Sequence, residues 1–280
     1  MMLLIVPADP MRPRRADDHF AAEAAAARDA GVEVAVIDHD ALAGGGDADA
    51  AVRRVPAGDD AVYRGWMLPA DGYATMAAAL ERRGVTLRTG AAAYRSAHEL
   101  PGWYEALRPV TPGSVWTAGD ARADFDHARH RLGPGAAVLR DYTKSAKHHW
   151  HEAAYVPDLT DADAAWRVAS RLRELRGDDF TGGFVLRRFE PLTAPEVRTW
   201  WIAGEHRLTG PHPDTPGPHD EPDLTSVTPL VAALHLPFVT VDLARREDGA
   251  WRVVELGDGQ VSDRPAAVTP ERLLAALLAG

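Results

Sequence analysis

The residues best suited to chemistry lie late in the chain, in Phe238-Val239-Thr240-Val241-Asp242-Leu243 and Val253-Val254-Glu255-Leu256-Gly257-Asp258-Gly259-Gln260. Both runs are rich in strand formers, and Arg246-Glu247-Asp248-Gly249-Ala250 between them carries the Asp-Gly signal of a tight turn. An antiparallel hairpin centred near Asp248 follows, with Asp242 and Glu255 roughly opposite each other among apolar neighbours. A buried carboxylate needs a partner, and an oxygen-only pair suits Mg²⁺ held together with phosphate. The competing reading puts both acids on the solvent face of an ordinary hairpin.

Cations concentrate upstream. Arg140, Lys144 and Lys147 lie at the end of the run Ala136-Ala137-Val138-Leu139-Arg140-Asp141-Tyr142 and in the segment after it. They could grip a polyphosphate through charge-assisted hydrogen bonds, or form a solvated charged loop. His148, His149 and His151 lack the carboxylate or cysteine spacing of a zinc site. Arg64 ends the run Ala61-Val62-Tyr63 before Gly65, at the strand end where α/β crevices open, and is a candidate anion contact or a surface arginine. Strand alternation places Glu196, Arg198 and Trp200 on one face, where the acid and the base could also be a simple ion pair.

The elements that position these residues follow from periodicity. Leu3–Pro7 and Val32–Asp38 read as strands around an Ala-rich helix from His19 to Ala30, with Asp17 or Asp18 as its cap and Gly31 as its stop. This order specifies a parallel pair with a right-handed crossover. Strands at 61–67 and 85–88 flank a helix at 71–83 and complete a second such unit, whereas Gly44-Gly45-Gly46 lacks phosphate-loop spacing and reads as a turn. Tyr94, His98, Trp103, Tyr104 and Trp116 fall in a stretch punctuated by Pro and Gly and are expected to pack between domains. Helices at 120–132 and from Thr160 to Arg176, strands at 136–142 and 182–192, and a hairpin at 196–208 turning at Ala-Gly come next. A short helix from Thr228 to about His235 and a terminal helix from Pro270 complete the pattern.

Composition narrows the function classes. The 280 residues are 46% hydrophobic, enough for a substantial core, and contain no cysteine, which removes disulfides, thiolate metal centres and a cysteine nucleophile. A cytosolic location is the expectation. No apolar run of about 18 residues occurs, and Pro7 and Asp9 interrupt the N-terminal apolar stretch, so neither export nor a membrane partner is expected. A formal charge of -10 argues against broad capture of nucleic acid and leaves a local basic groove open.

The ordered combination of Tyr63-Arg64-Gly65-Trp66, Val138-Leu139-Arg140 through Lys147-His148, Phe184-Val185-Leu186-Arg187-Arg188-Phe189, Glu196-Val197-Arg198 and Val254 through Gln260 resembles the ATP-grasp superfamily, in particular its compact clade marked by an arginine and two lysines. The resemblance spans nearly the whole chain. It implies an α/β and α+β fold: a parallel α/β pre-domain at 1–100, then a two-subdomain ATP-grasp fold with antiparallel sheets at 101–182 and 183–280. It further implies ATP and Mg²⁺. Arg140, Lys144 and Lys147 would take the phosphates, with Arg187, Arg188, Phe189, Glu190 and Glu196 completing the nucleotide contacts around a hinge at 188–190. Arg198 would touch the transferred phosphate and Arg64 the acceptor. Asp242, Glu255 and Asp258 would hold metal, with Gln260 as the alternative third ligand.

The implied reaction is carboxylate activation to an acyl phosphate followed by attack of an amine, on small-molecule or peptide substrates. A phosphotransferase that stops at the phosphorylated product, or a nucleotide-sensing or RNA-associated binding module, are the alternatives. The acceptor and the oligomeric state are not specified by these residues.

Overall fold

The structure is a computed structural model that describes residues 2–280. The chain divides into two compact units, one comprising Met1–Ala97, Pro195–Leu243 and Glu255–Gly280, the other His98–Ala194 and Ala244–Val254.

The first unit begins with β1 (Leu3–Asp9), β2 (Arg12–Ala16), α1 (Ala21–Asp29), β3 (Glu33–Ile37), α2 (His39–Ala43), α3 (Ala48–Ala51), β4 (Gly58–Tyr63), α4 (Ala70–Arg82), β5 (Val85–Leu87) and α5 (Ala91–His98). Strand β1 runs parallel to β3 and β4, and β4 is parallel to β5. The unbroken apolar run of β1 has a direct cause: the strand is covered on both faces. Leu4 and Val6 join Phe20, Ala24 and Ala27 with Leu273, Leu274 and Leu277, while Leu3 and Ile5 join Tyr73, Met76 and Leu80. The alanines of α1 let it lie close to the sheet. That helix starts two residues later than its sequence suggested, because Asp17 caps the preceding turn by accepting from the His19 backbone N–H at 2.9 Å. The hairpin strand β2 and the short helices α2 and α3 were not legible in the sequence.

The second unit contains α6 (Leu100–Leu107), β6 (Ser114–Trp116), α7 (Arg122–Leu132), β7 (Ala137–Arg140), β8 (Tyr155–Val156), α8 (Ala162–Arg176) and β9 (Val185–Arg188). Its antiparallel sheet has the order β6-β9-β7-β8. Phe125 and Ala128 of α7, with Ala165, Ala169 and Leu172 of α8, pack on Leu139, Phe184 and Leu186. The aromatic stretch punctuated by Pro and Gly is partly helical: Tyr94 lies in α5, Trp103 and Tyr104 lie in α6, and all three are buried.

The remaining elements are β10 (Leu192–Ile202), β11 (Glu205–Pro211), α9 (Thr228–Ala232), β12 (Phe238–Arg246), β13 (Trp251–Asp258) and α10 (Pro270–Leu278). The third sheet has the order β11-β10-β12-β13. Its first hairpin turns at Ala203-Gly204, where φ is 50° and 80°, and a side chain at Gly204 would meet the Ala232 backbone at 2.9 Å. The second hairpin turns as expected around Asp248, with Arg246 N–H donating to Ala250 O at 2.8 Å. Among the described residues, no helix is long and apolar enough to cross a membrane.

Candidate functional site

In the first unit, alternation along the third sheet brings Arg198 of β10 and Asp242 of β12 together. Arg198 Nε donates to Asp242 Oδ1 at 2.8 Å and Nη2 to Oδ2 at 2.8 Å, a fork-on-fork pair that is nearly fully buried. Burial pushes the Asp242 carboxyl up, but the Arg198 guanidinium and His212 overcome this and hold it well below the usual range. Asp242 is therefore ionised at neutral pH. Arg198 also donates through Nη1 to Asp263 O at 3.0 Å, and the Glu255 carboxylate adds to the negative field around it. His212, just past the end of β11, places Nε2 at 3.0 Å from Arg198 Nη2 and 3.4 Å from Asp242 Oδ2. Its Nδ1 accepts the Asp214 backbone N–H at 3.1 Å. Thr240 Oγ1 and Ser262 Oγ, 2.7 Å apart, border the space that a side chain at Gly257 would fill.

Asp258 goes elsewhere. Three residues beyond Glu255 on the same strand, it points to the opposite face. Its Oδ1 accepts from Gln260 N at 2.9 Å and Gln260 Nε2 at 3.1 Å, while buried Oδ2 has no hydrogen-bond partner among the described residues. Burial pushes this carboxyl up to about 7, against the weaker opposing pull of the Gln260 donors and Arg64. Gln260 is equally committed: Oε1 accepts from Tyr63 N at 3.1 Å and Nε2 donates to Tyr73 Oη at 2.8 Å, beneath the stacked Tyr73 and Tyr94 rings 3.8 Å apart. Asp242, Glu255 and Asp258 thus do not converge, and among the described residues no group of three acidic or histidine side chains could hold a metal ion by itself.

Arg64, read from the sequence as an acceptor contact, is buried. Its Nε and Nη2 donate to Glu23 at 2.8 and 3.0 Å, and Nη1 donates to the carbonyls of Gly259, Gln260 and Ser262 at 2.6 to 3.0 Å. Burial raises the Glu23 carboxyl, yet Arg64 and then Arg264 hold it below its usual range. Arg64 therefore fastens the segment after β13 to the end of β4.

In the second unit, Arg140 ends β7 and is buried, donating through Nη2 to Thr143 O at 2.6 Å and through Nε to Asp141 O at 3.3 Å. Asp141 organises the turn that follows. Its Oδ1 accepts from Thr143 N and Lys144 N at 2.7 Å and from Thr143 Oγ1 at 3.0 Å; its Oδ2 accepts from Arg176 Nε at 2.8 Å and Thr181 N at 3.3 Å. Lys144 and Lys147 are exposed beyond this tightly bonded turn. Gly182 adopts φ +71° against the Tyr142 ring, whose nearest atom would lie 2.0 Å from an added Cβ.

The segment 187–190 is tied down by its charged side chains. Arg187 bonds to Thr111 Oγ1 at 2.5 Å and to the carbonyls of Val253 and Val254, and Arg188 bonds to the carbonyls of Pro134 and Leu132 at 2.7 and 2.5 Å. Glu190 receives two bonds from Arg252 at 2.8 and 2.9 Å. Phe189 packs edge-on against Tyr155 at 5.2 Å, beside Trp150. Glu196, in the first unit, accepts the His212 N–H on its carbonyl at 3.0 Å.

The model of the ATP-grasp domain, family 3 of the clade named for one arginine and two lysines, matches residues 131–277, more than half of the chain. The chain belongs to that family. Solved ATP-grasp structures share its fold along essentially its whole length. A RimK domain ATP-grasp protein from Sphaerobacter thermophilus DSM 20745 aligns with a TM-score of 0.60 at 17% identity, covering 99% of this chain and 100% of that one. The D-cycloserine synthetase DcsG aligns at 0.62 and 18% identity, covering 98% of both. The ligase PsnB, complexed with minimal precursor, Mg and ADP, aligns at 0.59 and 16% identity, covering 99% of this chain and 97% of that one. No curated protein matches the chain in sequence.

For an ATP-grasp chain of this clade, Asp141, His212 and Glu23 are the notable residues that sequence reasoning passed over. Asp141 carried a local signal, since Asp followed two residues later by Thr favours a side-chain-capped turn. His212 and Glu23 carried none, because their partners lie 30 and 41 residues away in the chain.

Proposed function

We propose that this ATP-grasp protein is an ATP- and Mg²⁺-dependent ligase that activates a carboxylate as an acyl phosphate for attack by an amine. The observation that carries the reading is the buried Arg198–Asp242 pair with Glu255 in the same electrostatic neighbourhood. Family membership and the fold likeness to a synthetase and a precursor-bound ligase support it.

The donors fit magnesium. Mg²⁺ usually takes one or two carboxylates and fills its remaining positions with water and substrate phosphate, so Asp242 and Glu255 suffice without Asp258. When bound, the ion supplies charge neutralisation to the polyphosphate. Arg198, locked by Asp242, presents a fixed cation to the phosphoryl group being transferred. Arg140, Lys144 and Lys147 are assigned to the other phosphates, on the turn that Asp141 shapes, and Phe189 with the backbone of 187–190 to the base. Arg187, Arg188, Glu190 and Arg64 are assigned positioning roles, each being tied by hydrogen bonds to distant parts of the chain. The functional division at 1–100, 101–182 and 183–280, and a cytosolic setting, belong to the same proposal. Substrates are small molecules or peptides carrying the carboxylate and the amine.

The test supplies ATP, Mg²⁺ and a panel of carboxylates with hydroxylamine as a trap. Hydroxamate and ADP formation, abolished in Asp242→Asn and Glu255→Gln, is the expected result. Turnover that survives both substitutions defeats the reading, and phosphate retained on the acceptor identifies a phosphotransferase instead.

A further inference from the structure

Beside Arg198 in the first unit, a second constellation gathers around Trp66. Trp66 and Met67 are adjacent large apolar residues that remain 38% and 39% exposed, just past the end of β4. This is the carboxyl end of a parallel strand, where α/β sheets present ligand sites. The exposed indole is held in place. His19 packs against it with ring centroids 4.4 Å apart, and Phe20, itself buried in the core, meets it edge-on at 5.0 Å. The backbone is pinned as well: Trp66 O accepts from Tyr63 Oη at 2.9 Å, and Gly65 N donates to Gln260 O at 3.2 Å.

His19 Nε2 in turn meets Asp263 Oδ1 at 3.0 Å, and the Asp263 carbonyl accepts from Arg198 Nη1 at 3.0 Å. Asp263 is half exposed, and Oδ2 has no protein donor among the described residues. A continuous chain of contacts therefore leads from an open aromatic surface, through a half-exposed carboxylate, to the arginine of the candidate phosphoryl-transfer site. A rigid exposed tryptophan binds apolar groups with little loss of its own entropy, and its face also attracts cations.

We infer that Trp66 and Asp263 form the subsite of the amine substrate, which carries an apolar or aromatic group for the indole and docks as an ammonium on the carboxylate, giving up one proton to solvent before its nitrogen attacks the acyl carbon and expels inorganic phosphate. The assignment rests on the ligase reading, since it names that reaction's nucleophile. Asp263 favours a cation over a second carboxylate at this place, so the acid substrate is assigned away from it. His19, bonded to Asp263 and stacked on Trp66, sets the distance between the two halves of the subsite.

The test uses the full chain and 2-phenylethylamine as probe, with phenylacetate and butylamine as comparators, followed by saturation-transfer NMR and calorimetry. Phenylethylamine is expected to bind best. Trp66→Ala and Asp263→Asn should each weaken it by about five- to tenfold, while Trp66→Phe retains most of the affinity. Equal binding of phenylacetate, or affinity unmoved by both Asp263→Asn and Trp66→Ala, overturns the subsite. If Trp66→Ala fails to fold, Asp263→Asn and the phenylacetate comparison decide alone. The hydroxylamine trap separates the two proposals: probe binding without any trapped acyl group defeats the ligase reading, whereas trapping without probe binding defeats the subsite.

Discussion

Arg198 and Asp242 face each other from β10 and β12 through two hydrogen bonds of 2.8 Å, in a place where the carboxylate is almost fully shielded from water. Each charge makes the burial of the other tolerable. Breaking one side leaves an uncompensated buried ion, the more damaging change, at about 3–5 kcal/mol.

Asp242→Ala should accordingly lower unfolding free energy by about 3–5 kcal/mol as well as abolish ATP turnover. Urea denaturation of the purified variant measures the first effect and ADP release the second. A stability loss under about 1 kcal/mol would show that Arg198 finds water or another carboxylate easily.

Metal dependence distinguishes the three acids. Mn²⁺ binding in the presence of a nonhydrolysable ATP analogue, followed by electron paramagnetic resonance, should weaken at least about tenfold in Asp242→Asn and in Glu255→Gln. Asp258→Asn should leave it nearly unchanged, since that side chain lies on the opposite face of β13.

Asp258 should instead reveal itself through pH. Its folded value of about 7 lies above the unfolded carboxylate value of about 3.9, so its contribution to stability is complete below about pH 4 and is lost as pH rises through 7. Between about pH 5 and 8 the wild-type protein should lose about 2–3 kcal/mol that Asp258→Asn does not lose. Parallel slopes for the two proteins in urea titrations at those pH values would refute the assignment.

The turn after β7 makes a further prediction. Asp141→Ala removes five hydrogen bonds and strands Arg176 and three backbone N–H groups, at a cost of about 2–4 kcal/mol. Because the turn carries Lys144, ATP affinity should fall as well, by about tenfold in a calorimetric titration. Lys144→Ala should weaken ATP comparably with little change in the melting temperature, since its side chain is exposed.

How much of this could be read from the chain alone depends on the range of the interaction. Strong local signals gave the parallel β-α-β start, the helices α4, α7 and α8, and the two hairpins turning at Ala203-Gly204 and near Asp248, because apolar period and turn chemistry act over a few neighbouring residues. The same locality placed Asp242 and Glu255 on paired strands and Arg140 with its lysines at a strand end. The period of two even separates Glu255 from Asp258, an argument available from the spacing of three.

Only the tertiary structure decided which charges were already committed. Arg64 bonds to Glu23 and to carbonyls some 195 residues away, and Arg187 and Arg188 serve as ties to carbonyls 54 to 67 residues distant, none of which leaves a local mark. Burial settled the state of the two aspartates as well. Asp242 meets a guanidinium and stays ionised, whereas Asp258 meets tyrosines and an amide and is driven toward its neutral form. Sequence determined the residue types and the face each occupies; the opposed fates of two buried carboxylates followed from the long-range packing that supplied one of them with a cation.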